Sequence, residues 1–102
     1  MDDVKNVIDR GIDALNDYWG SASWVDVVDL YVLDMREPDR CVLGQVFGGF
    51  IRGYSALGLD SGKVAVSYGF ESSQHSDDGE YDFTYDDLQT EWMDRLREMK
   101  SA

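Results

Sequence analysis

Near both ends of the chain, apolar residues stand at helical spacing, and this pattern limits the folds that the chain can adopt. They recur every three or four positions within residues 2–18 and again within residues 88–99. The stripes are Val4, Val7, Ile8, Ile12 and Leu15, then Leu88, Trp92, Leu96 and Met99. This period is typical of amphipathic helices that bury one face. We therefore expect a long helix at each end, the first ended by Gly20 and the second opened by a Thr84–Asp87 capping box.

Residues 40–58 carry apolar side chains on more than one helical face, which predicts a buried central helix. Gly44 and Gly48 lie one turn apart on this helix, so another element can approach closely, and Gly58 provides the C-cap. Gly11 offers a similar close crossing in the first helix. A further helix is expected after a cap at Asp60 or Ser61, ending near Gly69.

The segment 21–39 supports two interpretations. Val27–Leu33 is rich in β-branched and aromatic residues, as a buried strand would be. We favour a short helix over 24–29 followed by an extended or single-turn stretch. The whole chain, residues 1–102, is then a single all-α domain of four or five short helices. A short hairpin near 27–33 would instead make the fold α+β.

The net charge of −12, from 21 acidic and 9 basic residues, restricts the possible partners. Such a surface repels phosphate backbones and anionic lipids, so we expect no direct binding to nucleic acid or membranes. It favours a protein partner with a basic surface. No apolar run approaches the length that a membrane span requires, which predicts a cytoplasmic protein.

The acidic residues are unevenly distributed. No Lys or Arg lies between Val64 and Asp94, although this stretch contains nine acidic residues. We predict a negative patch, unless the fold carries basic residues across to it. The patch residues assigned to protein binding are Glu71, Asp77, Asp78, Glu80, Asp82, Asp86 and Asp87.

Catalytic, metal and cofactor chemistry finds little support in the residues. The chain has one cysteine, Cys41, and one histidine, His75, too few for a structural zinc site and with no fixed spacing for a nucleophile and its base. Asp77-Asp78-Gly79-Glu80 lacks the alternating acids of a calcium loop. We therefore expect no enzyme, no cofactor and no metal site.

One pattern resembles a known group of proteins. The run Arg40–Gly48, with Cys-Val-Leu-Gly-Gln at 41–45, is followed by Ala56–Leu59, Tyr68–Phe70 and Tyr85–Trp92. This pattern, over roughly residues 24–96, resembles small proteins without assigned activity from actinobacteria and their bacteriophages. The resemblance implies a phage-type accessory role in the host cytoplasm, and it transfers no functional residues.

Three functional hypotheses follow. The first is a non-enzymatic module that binds or inhibits a host or phage protein through an acidic surface, with a DNA mimic as its sharper form. The second is a small ligand-binding or enzymatic domain centred on Cys41 and Gln45. The third is a homodimer formed by the last helix, in which Trp92 and Met93 occupy neighbouring faces.

Overall fold

The computed structural model describes residues 2–73 and 82–101, which form five α-helices, one short 3-10 helix and no strand. The α-helices are α1 (Asp2–Trp19), α2 (Val42–Phe47), α3 (Phe50–Ala56), α4 (Gly62–Ser67) and α5 (Tyr85–Ser101), and the 3-10 helix spans Ser23–Val27. This confirms the all-α prediction over the α+β alternative. The Cα radius of gyration is 12.3 Å, close to the roughly 13 Å expected for a compact domain of 100 residues.

The two long helices, α1 and α5, pack against each other along the stripes that the sequence predicts. Val4, Val7, Ile8, Ile12 and Leu15 of α1 are buried, as are Leu88, Trp92 and Leu96 of α5. Asp9 of α1 and Arg95 of α5 form an ion pair of 2.5 Å at the edge of this contact. The apolar faces of these helices therefore form the centre of the core.

Gly11 provides the close crossing that its position in α1 predicts. A Cβ atom there would overlap the carbonyl oxygen of Tyr68 at the end of α4, and it would lie 3.2 Å from the Phe70 ring and 3.3 Å from the Trp92 ring. Arg10 reinforces the junction, because its Nη1 donates a 3.1 Å hydrogen bond to the Ser67 carbonyl. The glycine is required here by packing.

The prediction of one central helix over 40–58 is wrong. The segment forms two helices, α2 and α3, separated by Gly48 and Gly49. Gly48 has a φ of 86° and ends α2 in the left-handed conformation, which glycine adopts without the penalty of a Cβ atom. The apolar residues therefore do not all lie inside the core: Ile51 of α3 is 69% exposed.

The segment between the 3-10 helix and α2 runs without a neighbouring strand, and two glutamine side chains supply hydrogen bonds to its backbone. Gln89 of α5 accepts from the Met35 N–H at 2.8 Å and donates to the Leu33 carbonyl at 2.6 Å. Gln45 of α2 does the same for Asp29. Amide side chains thus satisfy backbone groups that a sheet would otherwise pair, which explains why this β-prone stretch forms no strand.

The N-caps predicted for α4 and α5 are both present. Ser61 Oγ accepts from the Val64 N–H at the start of α4, and Thr84 and Asp87 form the reciprocal capping box of α5. Gly58, after α3, has a φ of 70°. Sequence alone therefore located the ends of α4 and the start of α5.

Trp92 lies on the buried face of α5. Its side chain is fully buried, its Nε1 donates a 2.7 Å hydrogen bond to the Gly69 carbonyl, and its ring stacks on Phe70. Trp92 is therefore not part of an exposed apolar surface on α5, whereas a homodimer through the last helix stays a prediction. Among the residues described, no helix is long and apolar enough to cross a membrane.

Candidate protein-interaction surface

Several large apolar side chains of the described residues are exposed to solvent. They are Tyr18, Trp19, Val27, Tyr31, Val32 and Ile51. Tyr31 is the most exposed, with a relative accessibility of 101%, so its ring makes almost no contact with the rest of the fold. Scattered apolar residues on a surface are ordinary, whereas a contiguous set often marks an interaction site.

Four of these residues form a contiguous surface, which we call the apolar belt: Tyr18, Trp19, Val27 and Tyr31. Trp19 and Val27 line one recess of about 130 Å³. Val27 and Tyr31 line the next, an open groove of about 390 Å³. Because each recess shares a residue with its neighbour, the belt is continuous. Ile51 lines neither recess.

One end of the belt is an aromatic cluster. The rings of Tyr18 and Trp19, at the end of α1, meet edge-to-face with their centroids 5.0 Å apart. Phe47 of α2 packs against both rings, at 5.2 Å from Tyr18 and 5.9 Å from Trp19. This packing fixes two rings that remain about half exposed. Rigid, partly exposed aromatic rings are the side chains that most often anchor protein interfaces.

The other end of the belt lies on a turn that is held in place by Gln45. Gln45 Oε1 accepts from the Asp29 N–H at 2.7 Å, while its Nε2 donates to the carbonyls of Asp29 and Arg40 at 3.2 and 2.9 Å. Asp29 Oδ1 in turn accepts from the Tyr31 N–H at 2.9 Å. The most exposed ring of the surface is therefore carried by a backbone with fixed geometry, which lowers the entropy lost on binding.

Charged side chains flank the belt. Asp26, Asp29 and Lys100 line the same groove as Val27 and Tyr31. Within the described chain, neither carboxylate forms an ion pair. Arg97 lines an adjoining recess with Tyr31. The groove therefore combines apolar side chains with two carboxylates, and cations lie nearby.

The predicted acidic patch is only partly within the described residues, because Asp77, Asp78 and Glu80 lie outside them. Asp82 and Asp86 are exposed, while Asp87 is half-buried and caps α5. Glu71 is half-buried and lines a small cavity with Tyr85. That the seven residues form one binding surface stays a prediction.

The fold does carry a basic residue across to the patch. Arg36 forms a 2.6 Å ion pair with Asp86, and its guanidinium lies 5.8 Å from the centre of the Tyr85 ring. The Asp86 hydrogen bond raises the pKa of Arg36. Both partners are solvent-exposed, so the pair adds little stability. Its main effect is to neutralise one of the predicted patch charges locally.

Cys41 and Gln45 have structural contacts. Cys41 is the N-cap of α2, where its Sγ accepts from the Gly44 N–H at 3.3 Å, and only 2% of the residue is exposed. Burial raises the pKa of the thiol and outweighs the backbone N–H groups of Gly44 and Leu43, which lower it. A buried thiol with a raised pKa is a poor nucleophile. The side chain of Gln45 forms hydrogen bonds with the backbone of the turn that carries Tyr31.

The cavity beside Cys41 is small, at about 140 Å³, and is lined by Arg36, Glu71 and Tyr85 among others. Burial raises the pKa of Tyr85, and the charge of Glu71 adds to the shift. Most small-molecule sites occupy roughly 300–1,000 Å³. The described residues contain no group of three or more metal-ligating side chains.

Sequence reasoning missed the apolar belt because it placed Tyr31 either in an extended or single-turn stretch after a short helix or in a buried strand, and neither prediction specified an exposed ring. The available signal was the run Val27–Val32 itself, which matches neither the helical period nor the alternation of a half-buried strand. The sequence does not show that Gln45 would hold this run as a turn.

Comparison with known proteins gives no relative: no family model, no curated protein and no solved structure matches the chain. The resemblance to small actinobacterial and phage proteins therefore stays a prediction. The apolar belt is therefore the main guide to the function.

Proposed function

We propose that this chain is a non-enzymatic protein-binding module that engages a basic partner protein through the apolar belt, with its overall acidity steering the encounter. In keeping with the sequence resemblance, the partner would be a host or phage protein in the cytoplasm of an actinobacterium. The observation that carries the proposal is Tyr31, a fully exposed ring on a turn fixed by Gln45.

The energetics of protein interfaces support this assignment. A few aromatic side chains usually provide most of the binding energy, and truncating one typically costs about 2 kcal/mol or more. The belt places Tyr18, Trp19 and Tyr31 on one continuous surface. Phe47 supports the Tyr18 and Trp19 rings, and the turn held by Gln45 fixes the backbone of Tyr31, which reduces the cost of ordering these residues in a complex.

The charge of the chain supports a basic partner. A net charge of −12 attracts a positively charged protein over a Debye length, about 8 Å at physiological salt, and accelerates its association. This attraction is screened by salt, whereas the apolar contacts persist. The two contributions can therefore be separated by varying the ionic strength.

The test is affinity capture from an actinobacterial lysate with three forms of the protein, compared by quantitative mass spectrometry. Tyr31→Ser removes the anchor ring, and Ile51→Ser is the matched control because Ile51 is exposed but lies outside the belt. We expect a partner that Ile51→Ser retains, that Tyr31→Ser loses by about tenfold or more, and that high salt weakens. Equal capture by wild type and Tyr31→Ser would refute the proposal.

A further variant separates the belt from the predicted acidic patch. The triple substitution Asp77→Lys, Asp78→Lys and Glu80→Lys reverses charge in the patch and leaves the belt residues intact. Under the proposal it slows capture but does not abolish it, because the anchor contacts remain. Complete loss in this variant, with Tyr31→Ser unaffected, would assign binding to the patch instead.

A further inference from the structure

We infer that the segment recognised by the apolar belt is a basic amphipathic segment, which places aliphatic side chains between Val27 and Tyr31 and a Lys or Arg against Asp26 and Asp29. This inference rests on the proposed function and specifies the chemistry of the partner. The groove is open and apolar, two carboxylates line it, and the whole chain is strongly acidic.

The groove lined by Val27 and Tyr31 is largely open to solvent and has a volume of about 390 Å³. Its floor also includes Val28 and Leu30, the first buried and the second half-buried. An open apolar groove suits the side chains of a segment that lies across it, as when an amphipathic helix presents its apolar face. A small molecule bound in this open groove would leave much of its surface in water.

The carboxylates of the groove are placed for a cation. Asp29 is fixed by its hydrogen bond to the Tyr31 N–H and by the Gln45 contacts to its backbone. Asp26 lies three residues earlier, in the 3-10 helix, and lines the same groove. A Lys or Arg that enters between these two aspartates gains two opposite charges, while its stem covers the apolar floor.

Two cations also lie close to the groove. Lys100 lines it together with the two aspartates, and Arg97 lines a recess that also includes Tyr31. A cation of the partner is therefore expected at the carboxylates and away from Lys100, while the net charge of −12 favours a basic segment as a whole.

Charge also decides against a second copy of the chain as the occupant. Each copy has a net charge of −12, so a dimer would have a net charge of −24, whereas a basic segment reduces the net charge of the complex. In addition, the buried position of Trp92 removes the largest apolar side chain that α5 could give to such a dimer.

The experiment uses a short synthetic helix of Lys and Leu, with Leu at the i, i+3, i+4 and i+7 spacing, and the same peptide with Glu in place of Lys. Binding is followed by calorimetry and by the fluorescence of Trp19. Trp19 is 45% exposed in the belt, whereas Trp24 and Trp92 are buried, so a contact at the belt changes mainly the Trp19 emission. The peptides contain no tryptophan.

Two double variants with the same change in net charge test the position of the cation. Asp26→Asn with Asp29→Asn removes the groove charges but keeps an oxygen that can accept from the Tyr31 N–H. Asp13→Asn with Asp60→Asn removes two exposed charges elsewhere. We expect the groove variant to weaken Lys–Leu binding by roughly fivefold and the control by less than about twofold.

Three results would overturn the inference: equal weakening by both double variants, equal binding of the Glu–Leu peptide, or no change in Trp19 emission on binding. A dimer of the wild type that Tyr31→Ser converts to a monomer, measured by sedimentation, would identify a second copy as the occupant and also overturn it. If the peptide fails but a lysate partner is still lost in Tyr31→Ser, the proposed function stands and only the basic segment is rejected.

Discussion

Gln45→Ala should loosen the turn that carries Tyr31. The substitution removes three hydrogen bonds, two with the Asp29 backbone and one with the Arg40 carbonyl. At solvent-accessible positions each contributes about 0.5 kcal/mol, so the free energy of unfolding should fall by about 1.5 kcal/mol. For a domain of this size that corresponds to a decrease in Tm of about 6–12 °C.

The assay combines thermal unfolding with amide hydrogen exchange. A loss of about 1.5 kcal/mol in local stability should accelerate exchange at the Asp29 and Tyr31 N–H groups roughly tenfold. Arg52→Ala, at an exposed position of α3, is the control and should change stability by no more than about 0.5 kcal/mol. A Gln45→Ala protein with wild-type Tm and unchanged exchange at both amides would show that Gln45 does not hold the turn.

Three further predictions concern the core and the caps. Cys41 should resist iodoacetamide in the folded state and react rapidly in urea; rapid alkylation of the folded protein would contradict this. Because burial raises the pKa of the thiol above the ordinary 9.0, the contribution of Cys41 to the free energy of unfolding should be constant below about pH 9 and fall as the pH rises further. Gly11→Ala should lower the free energy of unfolding in urea by about 2 kcal/mol or more, whereas Gly49→Ala, with open space around it, should lower it by about 1 kcal/mol at most. Equal effects of the two substitutions would show that close packing does not require the glycine at position 11. Thr84→Ala should cost about 1 kcal/mol through loss of the cap to Asp87, and Thr84→Ser should retain most of it; an unchanged urea midpoint in Thr84→Ala would show that the cap adds nothing.

The long helices could be predicted because their signals are local and agree with one another. The stripes of α1 and α5 continue over several turns, and the Thr84–Asp87 box marks where α5 begins. Burial then follows the stripe, since the apolar face of each helix has only the other helix and the core to cover it. An amphipathic pattern of this kind predicts both the helix and the face that it buries.

The middle of the chain could not be predicted because its structure depends on contacts distant in sequence. The helical pattern of 40–58 continues through Gly48 and Gly49, and only the left-handed φ of Gly48 shows that the helix ends there. The turn at Asp29–Val32 likewise depends on Gln45. Neither residue type specifies these roles without the fold around it.

The candidate site was predicted only in its general character. The net charge predicts a basic partner, but the sequence does not show which of the thirteen aromatic side chains remain outside the core. Burial separates Trp19 and Tyr31 from Trp24 and Trp92, although all four are large aromatic side chains. Exposure is a property of the assembled fold, and it identified the apolar belt.

The pairing of α1 with α5 has a consequence for how the protein folds. Asp9 contacts Arg95 and Gly11 faces Trp92, so the two helices run antiparallel and the first turns of α1 lie beside the last turns of α5. The chain must close the whole intervening loop before these helices can cover each other, which costs entropy and slows folding relative to bundles built from adjacent helices. Most of the stability of an amphipathic helix comes from the packing of its apolar face, which neither helix gains alone in water. A nascent chain on the ribosome therefore cannot complete this core until α5 has emerged from the exit tunnel.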